Sequence, residues 1–243
     1  AVLNYVSSNT GLNITNLTAA EEVFDTLLIE KENKYELPLW VDEHTYHTLS
    51  QISDMTFYFD FSTKLIQRLR TGLLLKDIIK NMNETINRND TTSETPNKLY
   101  IYSTHDTQIA LLLNALNVFD KKSPPFGSTI MIELRQTNNK YTIEMFYLND
   151  TQSEKPMTLV LPNCTNARNE CLFQQFVESV NDLIPGDWNS ECQNTGLSFA
   201  SKTVMPYMFG SLLTLAVMAL IYIIYTFLKP KNREIVYQML PIR

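Results

Sequence analysis

Residues 99–113 read LYIYSTHDTQIALLL. Leu99–Ser103 is short, apolar and aromatic, the pattern of a buried strand. From Thr107 to Phe119 the spacing changes: Ile109, Leu112, Leu113 and Leu116 share one face, which predicts a helix. The break between them carries His105 and Asp106 side by side, in a chain with only three histidines. In a strand–turn–helix unit this turn lies at the carboxyl end of the strand, where α/β proteins place ligands. The next helix directs its free N–H groups and positive dipole end to the same point, which suits an anion such as phosphate. His105 could add a charge-assisted hydrogen bond to that anion. Asp106 could hold a proton there, because the anion disfavours its ionised form, and then give it to a leaving alkoxide. The plainer alternative is that Asp106 is a helix cap.

Downstream, SPPFGS breaks the chain, and Ile130–Arg135 and Tyr141–Tyr147 read as strands joined around Asn138-Asn139 as a hairpin. Thr158–Leu161 reads as another strand, and Leu172–Leu183 as a helix with Phe173, Phe176, Val177 and Val180 inward. Upstream, a polar start precedes a helix over AAEEVFDTLLIEK, ELPLW is extended or turned, and Thr45 to about Met82 keeps helical spacing. Gly72 marks a kink or a close approach in that helix, and NETINRNDTTSETPN is a polar loop. Helices alternating with strands predict an α/β domain.

With 44% apolar and 19% charged residues the chain can bury a core. Its net charge of −6, with no basic stripe, argues against nucleic acid as a partner. Thr203–Leu228 has no Asp, Glu, Lys, Arg or His and would reach ~39 Å as a helix, against a hydrocarbon core of ~30 Å. It predicts a membrane span. Lys229, Lys231, Arg233 and Arg243 against Glu234 leave the tail at +3 and the rest at −9, which places the tail in the cytosol. Sequons at Asn13, Asn16, Asn83, Asn89, Asn149 and Asn163 all precede the span, as glycosylation on the lumenal side requires. Cys164 and Cys171 bound a short lumenal loop, where disulfides persist. Cys192 is odd: a free thiol, an intermolecular bridge, or half of a pair completed outside this chain. The chain opens on Ala without a leader, so the sequence implies a preceding segment.

YIYSTHDTQIALLLNALNV, SPPFGSTIMIEL and YTIEMFYLNDTQSEKPMTLVLPNC, with ELPLW before and FVESVNDLIPGDWNSEC after, resemble the histidine acid phosphatases. The likeness is to their lysosomal and prostatic branch and covers nearly all of residues 1–195. It implies a mixed sheet flanked by helices, with a helical subdomain, and hydrolysis of phosphomonoesters through a phosphohistidine without metal or organic cofactor. It implies Asp106 as a buried proton donor at the mouth of an anion site and His105 as a phosphate ligand. It pairs Cys164 with Cys171, and Cys192 with a cysteine in the family's other half. The family's nucleophile stands in an Arg-His-Gly-x-Arg-x-Pro motif, which this sequence lacks. His44 and His47 do not fit it and read as polar residues near a helix start; Arg68 and Arg70 read as solvated helix charges. Either the chain is the C-terminal part of a longer enzyme, inactive alone, or it is a non-catalytic glycosylated pseudophosphatase or binding protein on the same scaffold. One missing segment would account for leader, nucleophile and odd thiol together, which favours the first.

The expected organisation is a lumenal domain over 1–195, a juxtamembrane linker over 196–202, a type I span over 203–228 and a cytosolic tail over 229–243. Tyr237 and Leu240 resemble a signal that clathrin adaptors read as an extended peptide. That implies lysosomal or endosomal and plasma-membrane residence. A second copy of the chain, as a homodimer, is a further expected partner.

Overall fold

The computed structural model describes residues 2–88, 97–150, 152–162, 164, 171–193 and 213–225. The chain divides into two units, Ala1–Trp188 and Asn189–Arg243. The first opens with four helices: α1 (Val2–Thr10), α2 (Leu17–Glu32), α3 (Glu43–Asp60) and α4 (Lys64–Ile86). α5 (Asp106–Ala115) follows, then strands β1 (Thr129–Thr137), β2 (Lys140–Leu148), β3 (Met157–Leu159) and β4 (Cys171–Leu172). α6 (Phe173–Val180) runs into a 3-10 turn at Asn181–Leu183, and α7 is Trp188–Cys192.

The helix starts are written locally. The side chains of Asn16, Asp42 and Thr63 accept from the N–H groups of Ala19, Thr45 and Ile66, opening α2, α3 and α4. Thr63 also corrects the expectation of one helix over Thr45–Met82. The chain breaks at Phe61–Thr63, and the buried Gln67 amide donates to Phe61 O at 2.9 Å to hold the turn. α1 appears where the sequence read only as a polar start; Val6 is its one buried residue.

The hairpin forms as expected. Asn138 and Asn139 take positive φ, 52° and 61°, which the two-residue turn between twisted strands demands. Glu133 and Glu144 lie opposite each other in register, and Arg135 reaches both carboxylates, at 2.7 and 3.1 Å. β2 pairs β1 on one edge and both β3 and β4 on the other, every pair antiparallel. The expected mixed sheet is therefore an antiparallel one among the described residues. The strand predicted at Leu99–Ser103 is not formed among the described residues. That run has no strand pairing and lies exposed, Ile101 at 82%. An apolar run becomes a strand only where another strand takes its N–H and C=O groups.

Ile143, Met145 and Tyr147 of β2 pack with Leu75 and Ile79 of α4, Leu112 and Leu113 of α5, and Phe176 and Val180 of α6. The Cys164–Cys171 disulfide closes the edge of this core. A second core lies among α1, α2 and α3, around Val6, Phe24, Leu27, Leu49 and Ile52. Phe57 and Phe61 meet Ala110 and Leu111 of α5 in a third cluster. α5 is thus gripped from two sides, and Ala110–Leu116 is buried almost all round. Gly72 marks a close approach, not a kink: a Cβ there would lie 2.1 Å from Leu183 O.

Among the described residues no helix is long and apolar enough to cross a membrane. Residues 213–225 are helical, ~20 Å at 1.5 Å per residue. The rest of the expected span, the linker 196–202, the tail signal at Tyr237 and Leu240, and the sequons at Asn89 and Asn163 lie outside the described residues.

Candidate functional site

The turn before α5 holds the predicted pair. His105 is the N-cap residue, in extended conformation at φ −103° and ψ 160°, and its ring makes no capping bond. Its carbonyl accepts from Gln108 N at 3.0 Å and Ile109 N at 3.2 Å, starting the helix. Asp106 is therefore the first helical residue, not the cap. Its Oδ1 accepts from Thr107 N–H at 2.6 Å, which fixes the carboxylate beside the helix N-terminus. Both side chains are exposed. The expected buried acid is corrected here: all of Leu99–Asp106 lies at the surface, and full burial begins at Ala110.

Two side-chain tethers bracket the turn, and both end on α4. Tyr102 Oη donates to Asp77 Oδ2 at 2.6 Å and accepts from Asn81 Nδ2 at 3.1 Å. Gln108 Nε2 donates to Oγ1 of the fully buried Thr71 at 2.9 Å. Burial first, and then the Asp77 carboxylate, push the Tyr102 hydroxyl up to about 12.

α2 contributes a residue that sequence reasoning missed. Burial first, then Asp25, Asp106, Glu22 and Asp60, raise the Glu21 carboxyl above its usual range. The acids of α2 thus share the field of Asp106. The signal in the sequence was Glu21 and Asp25, like charges four apart on one helix face.

The other candidates stand apart from the turn. His44 and His47 are exposed on the opening turns of α3, and the Gln51 amide lies 3.3 Å from His47 Nε2. Arg70 is exposed, as a solvated helix charge is, whereas Arg68 is half-buried and tied to the backbone. Arg68 Nη1 donates to Asp182 O at 2.6 Å, and the Arg70 guanidinium sits 5.3 Å from the Phe61 ring centroid. Cys192 is exposed with no sulfur partner among the described residues. Asn13 and Asn16 are exposed at the start of α2, while Asn83 sits within α4. A surface depression of about 440 Å³ runs along α4 past Lys76, Lys80 and Asn83 and includes neither His105 nor Asp106. Among the described residues no group of three or more His, Cys, Asp or Glu could hold a metal ion.

The turn can offer an anion a helix N-terminus and an imidazole, with a carboxyl group beside them. Comparison with known proteins identifies the scaffold. The histidine phosphatase superfamily (branch 2) matches residues 2–148. Lysosomal acid phosphatase of Rattus norvegicus is 34% identical over 228 residues, 92% of this chain and 52% of that protein. Prostatic acid phosphatase of Rattus norvegicus is 35% identical over 182 residues, 74% of this chain and 45% of that one. The apo form of the Hafnia alvei phytase shares the fold, with a TM-score of 0.56 at 17% identity over 74% of this chain and 49% of its own. The chain spans about half the length of the relatives it matches. It belongs to the histidine phosphatase superfamily, branch 2.

Proposed function

We propose that this chain is the proton-donating half of an acid phosphatase that hydrolyses phosphate monoesters through a phosphohistidine. The observation that carries the reading is the exposed His105–Asp106 pair at the N-terminus of α5, in a chain of this family. A histidine outside this chain attacks phosphorus while the ester P–O bond breaks. The electron pair goes to the leaving oxygen, and Asp106 supplies its proton. His105 and the N-terminus of α5 hold the non-bridging oxygens. Water then attacks phosphorus as the P–N bond breaks and its electron pair returns to the imidazole, and the Asp106 carboxylate takes the water's proton. An acidic optimum follows, because Asp106 must carry a proton when the alkoxide departs.

The test uses the longer protein in which an Arg-His-Gly half precedes this chain. Asp106→Ala should slow hydrolysis of alkyl phosphates by ~10²–10⁴-fold. Nitrophenyl phosphate, whose leaving group needs little protonation, should lose far less. An equal loss for both substrates removes Asp106 as the acid. The chain by itself should hydrolyse neither.

The same reading includes a membrane span over 203–228, with sequons on the lumenal side and Tyr237 and Leu240 in a cytosolic sorting signal. Residues 213–225 support it: every large apolar side chain there is exposed, Leu213 at 68% and Tyr225 at 61%. A helix that is apolar all round needs hydrocarbon or protein around it. The match to rat lysosomal acid phosphatase takes in 92% of this chain, a share that residues 1–195 alone cannot supply. Resistance of the expressed protein to carbonate extraction tests the span; release into the supernatant would remove it. Tyr237→Ala should raise the cell-surface fraction, and unchanged trafficking would rule out the signal.

A further inference from the structure

We propose that α4 positions the proton donor: Asp77, through Tyr102, and Thr71, through Gln108, hold the His105–Asp106 turn at a fixed height and angle. The inference rests on reading Asp106 as the acid of a phosphatase and adds residues that set its geometry.

The run leading into the turn has no strand pairing among the described residues, and Leu99 and Ile101 face outward. Among the described residues, therefore, side chains and not a backbone ladder tie the turn to the fold. Tyr102 lies three residues before His105, and its hydroxyl joins Asp77 and Asn81. Asn81 Nδ2 is also 3.5 Å from Asp77 Oδ2, so the three side chains form one network. Gln108, two residues after Asp106, ties the first turn of α5 to the buried Thr71.

α4 is a suitable support because its Arg68–Gly72 segment is itself anchored at three points. Arg68 bonds Asp182 O, and the Trp188 indole N–H bonds Leu69 O at 2.6 Å. Gly72 lies against the Leu183 carbonyl with no room for a Cβ. Thr71 stands inside that segment. The outer tether is exposed and the inner one part-buried, and because they lie on either side of the turn they restrain its rotation as well as its translation. General-acid transfer depends on such placement, since a misplacement of ~1 Å can cost ~10²-fold in rate.

The test is made on the longer active protein with two substrates, an alkyl phosphate and nitrophenyl phosphate. Tyr102→Phe removes one oxygen and keeps the ring. It should lower kcat for the alkyl phosphate ~10-fold while changing nitrophenyl hydrolysis less than ~2-fold, with KM unchanged. Asp77→Asn should show the same selectivity, and the double variant should be no worse than either single one. Gln108→Leu should also be leaving-group selective, and its effect should multiply with that of Tyr102→Phe. A purely structural role would lower Tm and the active fraction for both substrates alike. A wild-type substrate ratio in Tyr102→Phe and Gln108→Leu overturns the positioning role. Asp106→Ala in the same assay separates the two failures. If it selects between substrates and the tether variants do not, only the positioning falls; if it does not select, the proton-donor reading falls too.

Discussion

β2 and the Leu99–Ser103 run are alike on paper. Both are rich in aromatic and branched residues, and both read as strands. In the structure they are opposites. β2 is paired on both edges and buries Ile143, Met145 and Tyr147, whereas Leu99–Ser103 is unpaired, with Leu99 73% and Ile101 82% exposed. The difference lies in neighbours. β1 reaches β2 through a two-residue turn, so the partner is supplied locally. Nothing within reach of Leu99–Ser103 offers a matching edge among the described residues. Strand character is a property of a pair, and sequence periodicity reports only one member.

Met145→Ala removes a side chain that is 1% exposed and should cost about 2–5 kcal/mol by chemical denaturation. Ile101→Ala in this chain should stay within about 0.5 kcal/mol, as for surface positions generally. A loss at Ile101 that approaches the one at Met145 would mean that something covers the run in solution. Gly72→Ala comes next. Leu183 and Pro185 leave no space for the methyl, and because one obstacle is backbone the helix must shift, at about 1–3 kcal/mol. A neutral Gly72→Ala would show that the 3-10 turn is free to move from α4, which would weaken the support for Thr71.

The hairpin supplies a smaller and opposite effect. Asn139→Gly relieves a left-handed backbone at φ 61° and should stabilise, while Asn139→Val should destabilise by about 1–2 kcal/mol. If both were neutral, the turn would not be what sets the register of β1 and β2.

These cases show where the sequence was sufficient. The hairpin was legible because turn residues and strand alternation lie within twenty residues of each other. The disulfide loop and the α6 core face of Phe173, Phe176 and Val180 were legible for the same reason. The break at Ser62–Thr63 was written in a capping residue but masked by leucines that keep helical spacing across it. The pair His105–Asp106 was legible as a turn. What holds it was not: Tyr102 and Asp77 are 25 positions apart, Gln108 and Thr71 are 37 apart, and no local pattern links them. Glu21 was hidden likewise, because its environment depends on burial and on the charge of Asp106, 85 positions away in the sequence.

That environment gives the smallest effect and asks which way the turn faces. Glu21 ionises later in the folded chain than in the unfolded one, through burial first and then the charges of Asp25 and Asp106. A raised folded-state pKa favours folding in full below the unfolded value of about 4.3, and this is lost as pH rises through the folded value. Neutral pH therefore leaves a strained carboxylate, and Glu21→Gln removes it. The variant should melt higher than the parent at pH 7, and the gap should close as the pH falls well below about 4, where Glu21 becomes protonated in both states. Asp106→Asn should narrow the same gap, since it takes away one of the charges that Glu21 faces. A gap that persists unchanged in Asp106→Asn would mean that the turn points its carboxylate away from α2, and the acids of the helical part would then lie outside the field of the proton donor.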